Sequence, residues 1–110
     1  MAKEFLDKLN ILIAETHIEN ECVGILAATH FFSGAALYKD GVICASLSPV
    51  GIGFKLGDQE CEELIESGEA VPLKYFPNGH VKKGYALFEA PDLSDVRKWK
   101  QYLQKSVSLA

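Results

Sequence analysis

The side chains in this chain that could bind a metal ion or act as a nucleophile or base are chiefly three cysteines and three histidines. His17, Cys22 and His30 come closest to a ligand set, but their spacing matches no recognised zinc pattern. Cys44 falls within an apolar run, where a thiol acts as a small apolar side chain. We therefore predict no metal, no cofactor and no enzymatic activity.

Two further thiol and imidazole positions keep an enzymatic alternative open. Cys61 lies on the inner side of a short predicted helix, and His80 lies at a predicted hairpin tip without an acidic neighbour in sequence. A small pocket beside Cys44 or His80 would be the place for such an activity.

The segment Lys83-Gly84-Tyr85-Ala86 fits the start of an RNA-recognition strand, which reads basic, Gly, aromatic, small. The next position is Leu87, where that motif has an aromatic residue to stack on a base. The alternative interpretation is a strand whose alternation places Phe88 in a core. Single-stranded nucleic-acid contact through Lys82, Lys83 and Tyr85 stays an alternative, and direct nucleic-acid binding is not our first expectation.

The net charge of -4 is unevenly distributed along the sequence. Residues 1–70 hold 12 acidic and 4 basic side chains, whereas residues 71–110 hold 3 acidic and 7 basic ones. A basic C-terminal third can steer the molecule toward an acidic partner. We predict a protein-binding surface that includes Lys82, Lys83, Arg97 and Lys98.

The helices that must position these residues follow from hydrophobic spacing. Apolar residues at helical intervals predict a first helix over residues 3–16. A second covers residues 58–67, with Asp58 as its N-cap and Gly68 as its left-handed exit. A third is capped by Ser94 or Asp92 and buries Trp99 within its apolar stripe.

Extended segments lie between these helices. Residues 23–28 followed by residues 31–38 predict extended, mostly buried chain that holds the first strand, with Gly24 and Gly34 as points of close approach. Asp40-Gly41 predicts a tight hairpin into a strand over 42–47, and a third strand over 52–56 has one face that can reach water. A second hairpin is predicted around 77–80, between strands over 73–76 and 82–90.

The resulting order is α-β-β-β-α-β-β-α, which indicates one α+β domain over residues 1–110 with helices packed on an antiparallel sheet. The N-terminus lacks the apolar core of a signal peptide, and the charge-free residues 22–38 are better explained as buried strand than as a membrane span. We expect a cytoplasmic protein with reduced cysteines and no membrane partner.

Several short motifs occur together in a recognisable order. They are Phe31-Phe32-Ser33-Gly34-Ala35-Ala36-Leu37-Tyr38, the Asp40-Gly41 turn, Gly53-Phe54-Lys55-Leu56-Gly57, and Lys83-Gly84-Tyr85 before a helix that contains Trp99. From about Thr29 to Leu109 this pattern resembles the N-terminal domain of the TfoX/Sxy competence regulators. The chain departs from the family pattern at Thr29-His30, where the family has a basic pair, and at Ser33, where it has a glycine.

The resemblance implies an α+β fold like that of small secretion chaperones, with no catalysis and no cofactor. It implies a regulatory role in natural transformation, with a transcription factor such as the cyclic-AMP receptor protein as partner. Full-length members carry a second, C-terminal domain, which we do not expect in this chain, and a homodimer is left open. The positions that we expect to be structural are Phe32, Gly34, Gly41, Gly79, Gly84 and Trp99.

Overall fold

The computed structural model describes residues 2–21, 23–31, 33–74 and 80–110. Its helices are α1 (Ala2–Thr16), α2 (Asp58–Ser67) and α3 (Val96–Leu109), and a short 3₁₀ helix (Ile18–Glu21) follows α1. Its strands are β1 (Leu26–Phe31), β2 (Gly34–Lys39), β3 (Val42–Ser48), β4 (Gly51–Lys55), β5 (Val71–Pro72) and β6 (Tyr85–Phe88).

All six strands belong to one antiparallel sheet with the order β1-β2-β3-β4-β6-β5. The first four strands form a meander, and β6 then pairs with β4 so that Ile52 lies opposite Phe88. A register irregularity between β2 and β3 occurs at Leu37 and Tyr38. The α+β class with helices and an antiparallel sheet is therefore confirmed.

One face of the sheet is covered by the helices and forms the main core. Leu9 and Leu12 of α1 and Trp99 and Leu103 of α3 are fully or almost fully buried in this core. Alternate strand residues face them because successive side chains in a strand point to opposite sides. The strand side chains in this core include Ala35, Leu37, Ala45, Leu47, Ile52, Phe54, Ala86 and Phe88.

The opposite face carries a smaller apolar cluster. Leu73, Tyr85 and Leu87 are buried there, with Ile43 and Val71 packed against them. The Leu73 side chain lies directly on Gly53, because a Cβ added to Gly53 would be 3.3 Å from either Leu73 methyl carbon.

Three local predictions are confirmed. Helices α1 and α2 lie where the spacing placed them, and Gly68 ends α2 with φ of 83°. Asp40 and Gly41 both have positive φ (49° and 87°), which is the backbone that a tight hairpin needs. Gly34 is a point of close approach, since a Cβ there would lie 2.1 Å from the Leu47 carbonyl oxygen.

The prediction of a single strand region over 23–38 is wrong. That stretch contains β1 and most of β2, which pair antiparallel with Phe31 opposite Gly34, so the meander has four strands instead of three. No Asn-Gly or Asp-Gly pair marks this reversal, and Gly34 was interpreted only as a packing position.

The second predicted hairpin has shorter strands than expected. The antiparallel pairing is present, but β5 covers only Val71–Pro72 and β6 only Tyr85–Phe88. Gly84 has φ of 84°, and the Lys82 carbonyl accepts a bond from the Tyr85 amide, so a turn delays the start of β6. The expected tip at 77–80 falls largely outside the described residues.

Three finer predictions also need correction. The residue before α2 is Gly57, with no side-chain cap, so Asp58 is the first helical residue instead of the N-cap. Helix α3 follows Asp95 without a side-chain cap, because the Asp92 carboxylate accepts bonds from the Ser94 amide and hydroxyl instead. The face of β4 that was predicted to reach water is buried at Gly53, because the Leu73 side chain covers it.

Across residues 2–21, 23–31, 33–74 and 80–110, no helix combines the length and the apolar character needed to cross a bilayer.

Candidate functional site

Tyr85 begins β6 on the face of the sheet opposite α1 and α3. Its ring lies between two ammonium groups, with Lys55 Nζ 5.1 Å and Lys82 Nζ 4.8 Å from the ring centroid. Its hydroxyl donates a hydrogen bond of 2.7 Å to the Ile43 carbonyl oxygen. Burial is the main cause that raises the pKa of Tyr85. The residue that the nucleic-acid alternative needs for stacking is thus packed and hydrogen-bonded within the protein.

Lys82 and Lys83 lie beside an open groove of about 270 Å³ between α2 and the chain leading into β6. One rim is acidic, with Asp58 and Glu62 of α2, and the other carries the two lysines. The remaining lining is mainly apolar and consists of Cys61, Ile65, Pro72, Val81, Gly84 and Tyr85. Val81 is 51% exposed, so the groove presents apolar surface to solvent between two charged rims.

An ion pair links the two rims. Lys83 Nζ is 3.9 Å from Asp58 Oδ2, and both side chains are mostly exposed. Such a surface pair contributes roughly 0–1 kcal/mol. The pair is therefore weak enough for a charged ligand to replace.

Backbone hydrogen bonds to other segments fix the position of residues 82–84. The Lys82 amide donates to the Leu73 carbonyl at 2.8 Å, and the Gly84 carbonyl accepts bonds from the amides of Leu56 and Gly57. The positive φ of Gly84 permits this backbone path. The predicted structural role of Gly84 thus has a geometric basis.

Arg97 and Lys98 lie on exposed positions of α3 and do not line the groove. Lys98 Nζ lies 5.5 Å from the Phe88 ring centroid and 4.9 Å from that of Trp99. Phe88 faces α1 and α3 whereas Tyr85 faces the opposite side, and three steps along the strand separate them by about 10 Å. The structure brings Lys82, Lys83 and Tyr85 together and places Arg97 and Lys98 on another surface.

Trp99 has a structural position, as predicted. It is 2% exposed, it stacks on Phe54 with ring centroids 5.9 Å apart, and its Nε1 donates to the Asp92 carbonyl at 2.8 Å. Tyr102 completes this aromatic cluster, with its ring 4.8 Å from that of Phe88. Tyr102 was not among the predicted core residues, although its position three residues after Trp99 on the same helix indicates that the two rings are neighbours.

Cys44 and Cys61 are buried, whereas His17, His30 and His80 are exposed. Cys44 is buried and its Sγ donates to the Leu37 carbonyl at 3.3 Å. Burial is the largest cause that raises the pKa of the Cys61 thiol, which disfavours the reactive thiolate. Within the part of the chain that the structure describes, no three His, Cys, Asp or Glu side chains converge on a metal position.

Three of the expected site and motif residues lie outside the described residues. They are Cys22 of the candidate ligand set and Phe32 and Gly79 of the structural motif. Their roles stay predictions.

Comparison of the chain with protein-family models, with curated proteins and with solved structures found no match. The resemblance to the competence regulators therefore stays a prediction that rests on the motifs.

Proposed function

We propose that this protein is a non-catalytic regulatory domain that binds an acidic segment of another protein at the groove beside Lys82 and Lys83. The observation that carries the proposal is the groove itself, which joins an exposed apolar floor at Val81 to a rim with two adjacent ammonium groups. An extended segment with one apolar anchor and acidic residues beside it fits this combination.

The environment of the chemistry-bearing side chains supports a binding role over an enzymatic one. The thiol of Cys61 and the hydroxyl of Tyr85 both line the groove, and burial raises the pKa of each. Groups held in their protonated forms are poor nucleophiles at neutral pH. The same packing of Tyr85 argues against base stacking, so nucleic-acid binding is not advanced as a second function.

By the motif resemblance, the role is that of the N-terminal domain of a competence regulator, and the partner is a transcription factor such as the cyclic-AMP receptor protein. The test is affinity capture of the tagged protein from nuclease-treated native lysate, using wild type, Lys82→Glu/Lys83→Glu and a control of equal charge change, Lys3→Glu/Lys8→Glu on α1. Proteins retained by wild type and control but lost from the groove variant are candidates for the partner.

Each candidate is then titrated as a purified protein at several salt concentrations. We expect the groove variant to lower the association rate at least tenfold and to flatten its salt dependence, because the two lysines steer the acidic segment. Equal association rates for all three proteins would contradict the proposal. Binding by purified cyclic-AMP receptor protein would support the competence-regulator role in particular.

A further inference from the structure

The two edges of the sheet differ in how they are protected. Strand β5 ends one edge with two residues, of which Pro72 has no backbone N–H to offer a neighbour. Strand β1 ends the other edge with six residues, and it contains no charged residue, glycine or proline. Natural edge strands are usually shortened, charged or kinked to prevent pairing with another chain. By these criteria β5 is protected and β1 is not.

One hydrogen bond identifies which backbone groups of β1 point outward. The Asp40 amide donates to the Ile25 carbonyl at 2.9 Å, which makes this pair a hydrogen-bonded one. Because hydrogen-bonded and outward residues alternate along an antiparallel strand, Leu26, Ala28 and His30 direct their N–H and C=O groups away from β2. In the part of the chain that the structure describes, no strand pairs with that edge.

The side chains along this edge also suit a covering chain. Ala27, Thr29 and His30 are exposed, and just before the strand Ile25 is 76% exposed and Val23 is 95% exposed. A neighbouring strand would bury this uncharged row, which adds apolar contact to the new backbone bonds.

We infer that two copies of this chain associate by antiparallel pairing of β1 with β1, which joins the two sheets into one. With Ala28 opposite Ala28 of the second copy, Leu26 faces His30, so every outward group meets an outward group. The two-fold axis passes between small side chains and brings no like charges together. Pairing of β1 with β5 of another copy would form an open chain, but the two residues of β5 and Pro72 oppose it.

The test uses sedimentation velocity of the full chain from low micromolar up to about 0.5 mM, a range that detects even a weak dimer. We expect a concentration-dependent dimer for wild type. Ala28→Pro removes a central outward N–H without touching the ladder to β2, and Ala27→Lys/Thr29→Lys places lysines opposite each other across the two-fold axis. Both variants should weaken dimerisation at least tenfold.

The control variant, Ile11→Lys/Val50→Lys, adds the same charge at exposed apolar positions outside β1 and should dimerise like wild type. Circular dichroism melting checks that each variant is folded. If Ala28→Pro does not fold, Ala27→Lys/Thr29→Lys still tests the inference. A wild type that stays monomeric throughout, or a dimer that a folded lysine double variant leaves unchanged, would overturn the inference.

Amide hydrogen exchange gives an independent readout. On raising the concentration, the amides of Leu26, Ala28 and His30 should gain protection, whereas those of Ala27 and Thr29 are already bonded to β2. Gains elsewhere with none at these three amides would place the interface on another surface and overturn the inference.

Discussion

The face of the sheet beneath α1 and α3 carries several large side chains, among them Phe54 and Phe88, whereas the opposite face has Ala36, Ser46 and Gly53 along its middle. On the helical side, Phe54 and Phe88 pack edge to face 6.0 Å apart beneath the α3 aromatics. On the other side the small residues leave room for one layer, which Leu73 covers from a connecting segment. Two amphipathic helices can fill a deep layer, while an irregular segment covers only a shallow one.

The residues that contribute most to stability and the residues of the proposed binding groove therefore lie on different faces of the sheet. The aromatic cluster that includes Trp99 lies wholly on the helical side. The Lys55 and Lys82 ammonium groups lie over Tyr85 at the thinly covered side, next to the groove. Substitutions on the helical side should therefore lower the free energy of unfolding more than substitutions on the other side.

The largest effect is expected for Trp99→Ala. Removing this ring leaves a cavity among Phe54, Phe88 and Tyr102 and deletes the hydrogen bond from Nε1 to the Asp92 carbonyl, so the free energy of unfolding should fall by about 3–5 kcal/mol. Urea unfolding followed by circular dichroism measures it. Trp99→Phe keeps a ring in the cluster and should lose less. A loss for Trp99→Ala below about 1 kcal/mol would remove the contrast between the faces.

Leu73→Ala tests the shallow face. The side chain is 1% exposed, but it belongs to a small cluster and lies on Gly53, so we expect a loss of about 2–3 kcal/mol, at the lower end for a buried leucine. Val81→Ala, on the half-exposed groove floor, is the matched control and should change stability by less than about 0.5 kcal/mol. If Leu73→Ala lowers the free energy of unfolding as little as this control, Leu73 does not contribute a buried layer to this face of the sheet.

Tyr85→Phe has the smallest expected effect at neutral pH, about 1 kcal/mol, through the lost bond to the Ile43 carbonyl. The substitution should also change how the stability of the protein depends on pH in the alkaline range. Because burial raises the pKa of Tyr85 above its ordinary value of 10.0, the folded state favours the neutral phenol. That stabilisation is complete below the unfolded pKa and is lost as pH rises through the folded one. Wild type should therefore lose stability above about pH 10 more steeply than Tyr85→Phe. Parallel decline of both proteins across that range would contradict the burial of this ring.

The sequence predicted those parts of the fold that short-range physics controls. Gly41 and Gly68 marked backbone positions with positive φ, and both were placed correctly because that preference depends on the residue and its immediate neighbours. The burial of Trp99 followed from helical spacing alone. The reversal between β1 and β2 was missed because the chain there carries no turn signal of that kind.

The candidate site was predicted in part. Lys82, Lys83 and Tyr85 are close in sequence and stay together in the structure, whereas Arg97 and Lys98 lie on a different surface. The acidic rim at Asp58 and Glu62 was absent from the prediction, because α2 is distant in sequence from Lys82 and Lys83 and lies beside them through contacts made in the folded chain, such as the bonds of Leu56 and Gly57 to Gly84.

Residue types and their local spacing thus specified the helices, the Asp40-Gly41 turn and the class of fold, because these depend on backbone angles and on periodicity within about a dozen residues. Contacts between distant segments arose only from folding. Lys39 Nζ, for example, donates to the Val107 carbonyl at the end of α3, a contact that joins residues 68 positions apart. The unprotected edge of β1 has the same origin, because a strand is an edge only with respect to the complete sheet.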